Sequence, residues 1–179
     1  NDVLDLLDHL KIEKVNFCGL SIGGLTGQWL GIHAPERLNK LILCNTAVKI
    51  GNAEGWNTRI EIVQKNGLDS IVSGTQERWF TSEFVTENKD EVDAVLAMFV
   101  QTQLAGYISC CAAVRDADFT DEVSKILAPT LIISGTEDLV TTVKDGDFLM
   151  EKIPNSLLAA LKTAHLSNIE KADDFTKLL

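Results

Sequence analysis

Residues 15–33 place an apolar run, a serine flanked by glycines and a helix-like segment in direct succession. Val15-Asn16-Phe17-Cys18 reads as a strand. Gly19-Leu20-Ser21-Ile22-Gly23 follows, and Leu25, Trp29 and Ile32 then recur at helical spacing before Pro35 stops the pattern. A G-x-S-x-G turn between a strand and a helix is the arrangement of a nucleophile elbow. The serine must sit on a tight, strained turn so that its Oγ projects clear of the sheet. A side chain at Gly19 or Gly23 is expected to collide with the neighbouring strand or helix. The helix N-terminus at Ile22 offers a backbone N–H to a developing oxyanion. The bare pattern also fits a glycine-rich turn carrying an idle serine, so the rest of the chain has to decide.

The order of elements narrows the fold. Val3, Leu4, Leu6, Leu7 and Leu10 form one helical face, ahead of the strand and the elbow helix. Leu38 to Cys44 is a second buried strand. Helix, strand, helix, strand predicts a parallel sheet with right-handed crossovers. From Thr46 to Phe119 no strand pattern appears. Ala53 to Lys65, Leu68 to Gly74, Glu87 to Leu104 and Ala105 to Arg115 all read as helices. Such a block is either a cap over the strand ends or a plain helical subdomain. The sheet resumes at Thr130 to Ser134. A helix near Val143 to Lys152, a strand near Leu157 to Leu161 and a final helix to Leu179 follow. The expected division is therefore an α/β core over residues 1–45 and 120–179, with a helical cap over residues 46–119.

Composition bounds the partners. The net charge is -10 with no basic cluster, which argues against nucleic acid. No apolar run approaches the ~20 residues a spanning helix needs, and no signal peptide opens the chain, so a cytoplasmic enzyme without membrane contact is expected. Cys18, Cys44, Cys110 and Cys111 lack metal-site spacing and read as buried thiols in a reducing compartment. Oligomeric state is not legible.

Two further residues carry chemistry. Asp138 lies just past the end of one strand and His165 just past the end of the next. In a parallel sheet both points face the same edge as the elbow. The chain order Ser21, Asp138, His165 suits a serine nucleophile whose proton is taken by an imidazole base, with the acid fixing the imidazole tautomer. Glu137 is an alternative acid on spacing alone.

Several segments together identify a resemblance. They are Gly19-Leu20-Ser21-Ile22-Gly23-Gly24, Gly27-Gln28-Trp29-Leu30-Gly31, Pro35-Glu36-Arg37, Asn45-Thr46-Ala47, Lys49-Ile50-Gly51, Arg78-Trp79-Phe80-Thr81, the run Cys110 to Asp118, and Ala164-His165-Leu166-Ser167-Asn168-Ile169-Glu170. Over nearly its whole length the chain resembles the α/β-hydrolase family, and within it the 3-oxoadipate enol-lactonases of aromatic catabolism, the β-ketoadipate pathway. The resemblance implies an α/β-hydrolase fold with an inserted helical cap. It implies a small-molecule lactone or ester substrate, Ser21 as nucleophile, His165 as base, Asp138 rather than Glu137 as acid, and the Ile22 N–H in the oxyanion hole. No metal or organic cofactor is implied.

The implied substrate carries a carboxylate, whereas the chain is acidic, so arginine is sought in the helical block. Arg78 beside Trp79, and Arg115 after the cysteine pair, are the candidates, with Trp79 as a pocket wall. A salt bridge from Arg115 to Asp116 or Asp118 is the competing role. The family pattern also has strands and an oxyanion loop ahead of the elbow that are missing here, so the chain is expected to be part of a longer protein. The piece alone is expected to be poorly soluble and weakly active, since one lost oxyanion donor costs ~10²–10³ in rate. Two other functions remain open at this level. One is a general carboxylesterase of the same fold, and the other is a non-catalytic binding module. A dehalogenase is disfavoured, because Ser21 stands where that chemistry needs a carboxylate.

Overall fold

Four strands, β1 (Val15–Leu20), β2 (Leu38–Cys44), β3 (Thr130–Gly135) and β4 (Ser156–Leu161), form one parallel sheet in the order β1-β2-β3-β4. The computed structural model describes residues 2–179, so Asn1, the first residue of the expected core, lies outside the described residues. Leu20 pairs with Cys44, Cys44 with Ile133, and Gly135 with Leu161, so the four carboxyl ends line one edge. Every segment that follows a strand therefore starts from that edge.

Helix α1 (Asp2–His9) precedes β1, and α2 (Ile22–His33) follows it. Leu30, Leu41, Leu43, Ile126, Ile132 and Leu149 are buried between the sheet, α2 and α8 (Val143–Lys152). Each such side chain contributes about 1.5–3 kcal/mol by leaving water. On the opposite face Cys44 and Ile133 meet Phe175 of α10 (Ala172–Leu178). The helices between β2 and β3 are α3 (Ala53–Asn66), α4 (Val72–Trp79), α5 (Ser82–Glu87), α6 (Lys89–Val100) and α7 (Leu104–Asp116). They bury clusters of their own, around Val63, Leu68 and Phe99 and around Phe80, Val92 and Leu96. A hydrogen bond from Leu166 N–H to the Trp79 carbonyl (3.1 Å) ties this block to the segment after β4.

Several expectations need correction. A Cβ at Gly19 would lie 2.1 Å from the Gly23 carbonyl oxygen, but one at Gly23 would meet nothing within 4 Å. The tight contact is at Gly24, whose Cβ would fall 2.5 Å from Thr46 Cβ. Helix α2 buries Gly24, Leu25, Gly27, Gln28, Leu30 and Gly31, while Trp29 and Ile32 are only half-buried. Small residues face the sheet because the helix lies close against it. Residues 68–74 are not one helix: a 3₁₀ turn (Leu68–Ile71) leads into α4, which carries Arg78 and Trp79 on a helix. The last helix is two, α9 (Ser167–Glu170) and α10, broken at Lys171 with φ -135°. Cys44 and Cys111 are buried, but Cys18 and Cys110 are exposed, and all four thiols are free. Among the described residues no single helix is long and apolar enough to cross a membrane.

Candidate active site

Ser21 occupies φ 57°, ψ -113°, a backbone conformation that L-residues avoid and that costs of order 1–3 kcal/mol. The surroundings over-determine it. Its N–H donates to the Cys44 carbonyl (2.9 Å), and its carbonyl accepts from Leu25 N–H (3.1 Å) and from Thr46 Oγ (2.9 Å). Helix α2 begins at Ile22, so the Ile22 N–H belongs to a first turn whose donors have no partner within the helix.

His165 and Asp138 meet at the same edge. His165 Nδ1 lies 2.8 Å from Asp138 Oδ2, and both side chains are buried. A carboxylate only accepts, so Nδ1 carries the hydrogen and Nε2 is left as the acceptor of a neutral imidazole. Asp138 takes four more hydrogen bonds. Val140 N–H (2.7 Å) and Thr141 N–H (3.0 Å) donate to Oδ1, and Thr141 Oγ (2.9 Å) and Asn45 Nδ2 (3.0 Å) donate to Oδ2. Burial pushes this carboxyl up, but the His165 hydrogen bond and charge, Asn45 and the Thr141 N–H outweigh it and hold it below its ordinary value. Glu137, the alternative acid, is exposed.

The histidine loop is fixed from below. Glu170 is buried, has no cation partner among the described residues, and accepts from Ala164 N–H (3.0 Å), Thr81 N–H (3.1 Å) and Thr81 Oγ (2.8 Å). The residue next to His165 is thus tied to the start of α5.

A cavity of about 170 Å³ brings Ser21, Ile22 and His165 together with Trp79, Arg78 and Arg59. Tyr107, Cys110 and Cys111 of α7 close one side. Arg59 Nε donates to Tyr107 Oη (2.6 Å) and Arg59 Nη2 to Thr75 Oγ (3.1 Å), both neutral partners. Arg78 is half-buried. Desolvation, and then the charge of Arg59, push its pKa down, though a guanidinium stays charged. Among the described residues neither guanidinium has a carboxylate within salt-bridge distance, so two cations share this wall. A larger cavity of about 380 Å³ lies between α1, α2 and α7 and shares Ile22, but among the described residues its lining of Leu25, Trp29 and Phe119 holds one ionisable side chain, Asp2, and no histidine. The smaller one is the cavity that joins Ser21 to His165.

Arg115 lies apart from this cavity. Its guanidinium grips Asp116 (2.7 and 2.9 Å) and Asn57 Oδ1 (2.8 Å), fastening α7 to α3, while Asp118 pairs with Lys49 (2.8 Å). The sequence reading passed over Arg59. Its spacing of three from Trp56, which also lines the cavity, was the available signal. Asn45 was noted only as part of a motif, with no role. Among the described residues no three His, Cys, Asp or Glu side chains converge as metal ligands do.

Comparison with known proteins gives consistent matches. The family described as alpha/beta hydrolase fold matches residues 1–172. The chain is 45% identical over 174 residues to 3-oxoadipate enol-lactonase 2 of Acinetobacter baylyi, covering 97% of this chain and 65% of that protein. It is 41% identical over 177 residues to 3-oxoadipate enol-lactonase 1 of the same organism, covering 99% and 66%. It therefore spans just under two thirds of those relatives' length. The crystal structure of the enol-lactonase from Burkholderia xenovorans LB400 superposes with a TM-score of 0.97 at 40% identity, covering 99% of this chain and 68% of that one.

Proposed function

The chain belongs to the alpha/beta hydrolase fold family, and from that premise we propose that the protein is a serine hydrolase that opens 3-oxoadipate enol-lactone to 3-oxoadipate. The observation that carries the reading is a histidine locked to a buried aspartate, facing a serine on a strained turn across one small cavity.

The steps follow from the site. His165 Nε2 takes the Ser21 proton as Oγ attacks the lactone carbonyl. Asp138 holds the imidazole and stabilises its cation. The Ile22 N–H donates to the oxyanion. Collapse breaks the bond to the ring oxygen, which leaves as an enol and takes the proton from the imidazolium. The enol stays tethered in the acyl-enzyme and ketonises. Water, deprotonated by His165, then releases the second carboxylate and restores Ser21. The substrate's own carboxylate pairs with Arg59 and Arg78, whose charges no side chain in the cavity neutralises. Trp79 walls the lactone ring, and residues 46–119 serve as the cap.

The test compares turnover of the enol-lactone with that of an aryl ester lacking a carboxylate, using the full chain and Ser21→Ala as the blank. A kcat/KM at least about 10-fold higher for the lactone is expected, since hydrogen bonds to charged groups are worth about 1.5–3 kcal/mol. Equal or better turnover of the aryl ester would make this a general carboxylesterase. Ligand binding without turnover of either substrate would make it a binding module.

A further inference from the structure

Asn45 stands at the end of β2, between the strand that leads to Ser21 and the strand that leads to Asp138. It is buried, and its φ of 42° is a left-handed conformation that asparagine tolerates better than most residues. Every polar group of its side chain is engaged. Nδ2 donates to Asp138 Oδ2 (3.0 Å) and to the Ala164 carbonyl (3.2 Å), and Oδ1 accepts from Ser167 Oγ (2.5 Å). A carboxylate and a carbonyl can only accept, so the amide nitrogen must face them and the oxygen must face Ser167. The next residue, Thr46, donates to the Ser21 carbonyl. One dipeptide thus touches the elbow, the acid and the residue preceding the histidine.

Resting on the serine-hydrolase reading above, we propose that Asn45 is a positioning residue: it fixes the Asp138 carboxylate and the histidine loop against each other and tempers how strongly Asp138 holds the charged imidazole. The Asn45 amide competes with His165 for the same oxygen, Oδ2. Part of that oxygen's electron density is committed to Asn45. Without it the carboxylate accepts more strongly from Nδ1, the imidazolium is better held, and the base stays protonated to higher pH. The other groups around the pair are Thr141 and the Val140 N–H on the acid loop, Glu170 through the Ala164 N–H, and across the cavity Ser21, Arg59, Arg78, Tyr107, Cys110 and Cys111. None of them bonds to Asn45, so changing Asn45 leaves their charges in place.

The test measures the rate at which a fluorophosphonate labels Ser21 in the full chain, read by intact mass from pH 5 to 9. This readout does not depend on which ester is the substrate. Asn45→Gly removes the amide while suiting the left-handed backbone. Ser167→Ala removes only the hydroxyl that orients the amide. The acid limb of the rate profile is expected to move up by about 1 pH unit in Asn45→Gly and by less in Ser167→Ala, in that order, with the plateau rate down about 10-fold in the first. A wild-type limb in both variants, whether or not the plateau falls, would reduce Asn45 to a structural residue and overturn the proposal. Labelling with the expected shifts but no lactone turnover would sink the lactone reading and leave the proposal standing. Absence of Ser21 labelling in the wild type would remove both.

Discussion

Asp138 accepts five hydrogen bonds, whereas Arg78 across the same cavity pairs with no carboxylate among the described residues. The acid end is built from three strand-end loops that brace one another: Asn45 from β2, Thr141 from the acid loop, Ala164 and Ser167 from the histidine loop. The arginine wall is built from helices, and its charges are left unmet. On the proposed reading, the difference separates two tasks. A base must be held in one tautomer and one orientation before substrate arrives, so its partners are all internal. A binding group must keep something for the substrate, so its partner has to be absent until then. A protein of this size could have paired Arg59 and Arg78 with some of its 26 acidic residues. Leaving two like charges together is unfavourable unless an anion joins them.

The largest effect is expected from breaking the braced end. Asp138→Asn keeps the shape but offers an amide where His165 Nδ1 needs an acceptor. kcat should fall by about 10⁴-fold with KM little changed, as expected when the tautomer is wrong and binding is not. The same variant carries a stability signature. Asp138 titrates below its ordinary value when folded, so its contribution is complete above that ordinary value and is lost as pH falls through the lower, folded one. Thermal melts taken from pH 7 down to pH 2 should therefore show a steeper acid loss for the wild type than for Asp138→Asn, confined to the region below about pH 4. Parallel curves would mean that the carboxylate gains nothing from its five donors.

The arginine wall should respond differently. Arg59→Met and Arg78→Met keep the aliphatic stems and remove the charges. Each is expected to raise KM for the carboxylated lactone by about 10- to 100-fold with kcat nearly unchanged, and to leave the aryl ester alone. A fall in kcat with unchanged KM would place these arginines with the chemistry instead. That would erase the contrast between the two ends.

The two ends were also unequally legible. The placement of Ser21, Asp138 and His165 at one edge could be read because each lies shortly after the end of a strand, and parallel strands aim their ends the same way. The bracing around Asp138 could not, because Asn45 and Asp138 are 93 residues apart and meet only in the folded sheet. The collision at Gly19 was foreseeable from the turn alone, but the one at Gly24 depends on where Thr46 comes to rest. The wall was harder still. Arg59, Arg78 and Arg115 all sit on helices with aromatic residues nearby, and their sequence surroundings do not say which side faces the cavity. That is decided by how α3 packs on α7 and where α4 ends, which are tertiary facts.

Arg115 supplies the finest test of that lesson, and the smallest expected effect. On paper it had the same claim as Arg78: a cation in the helical block of an acidic chain. In the fold it is half-buried, gripped by its neighbour Asp116 and by Asn57, and it holds the end of α7 to α3. Asp116 in turn is held below its ordinary value by that contact, so the pair satisfies itself without a ligand. A surface pair of this kind contributes little in water. Arg115→Gln should therefore leave KM for both substrates within about 2-fold of wild type, even where Arg78→Met raises it strongly, since surface substitutions away from a site rarely exceed ±0.5 kcal/mol. A KM rise confined to the carboxylated lactone would mean that Arg115 leaves Asp116 to meet the substrate. The anion site would then extend from the cavity wall to the end of α7.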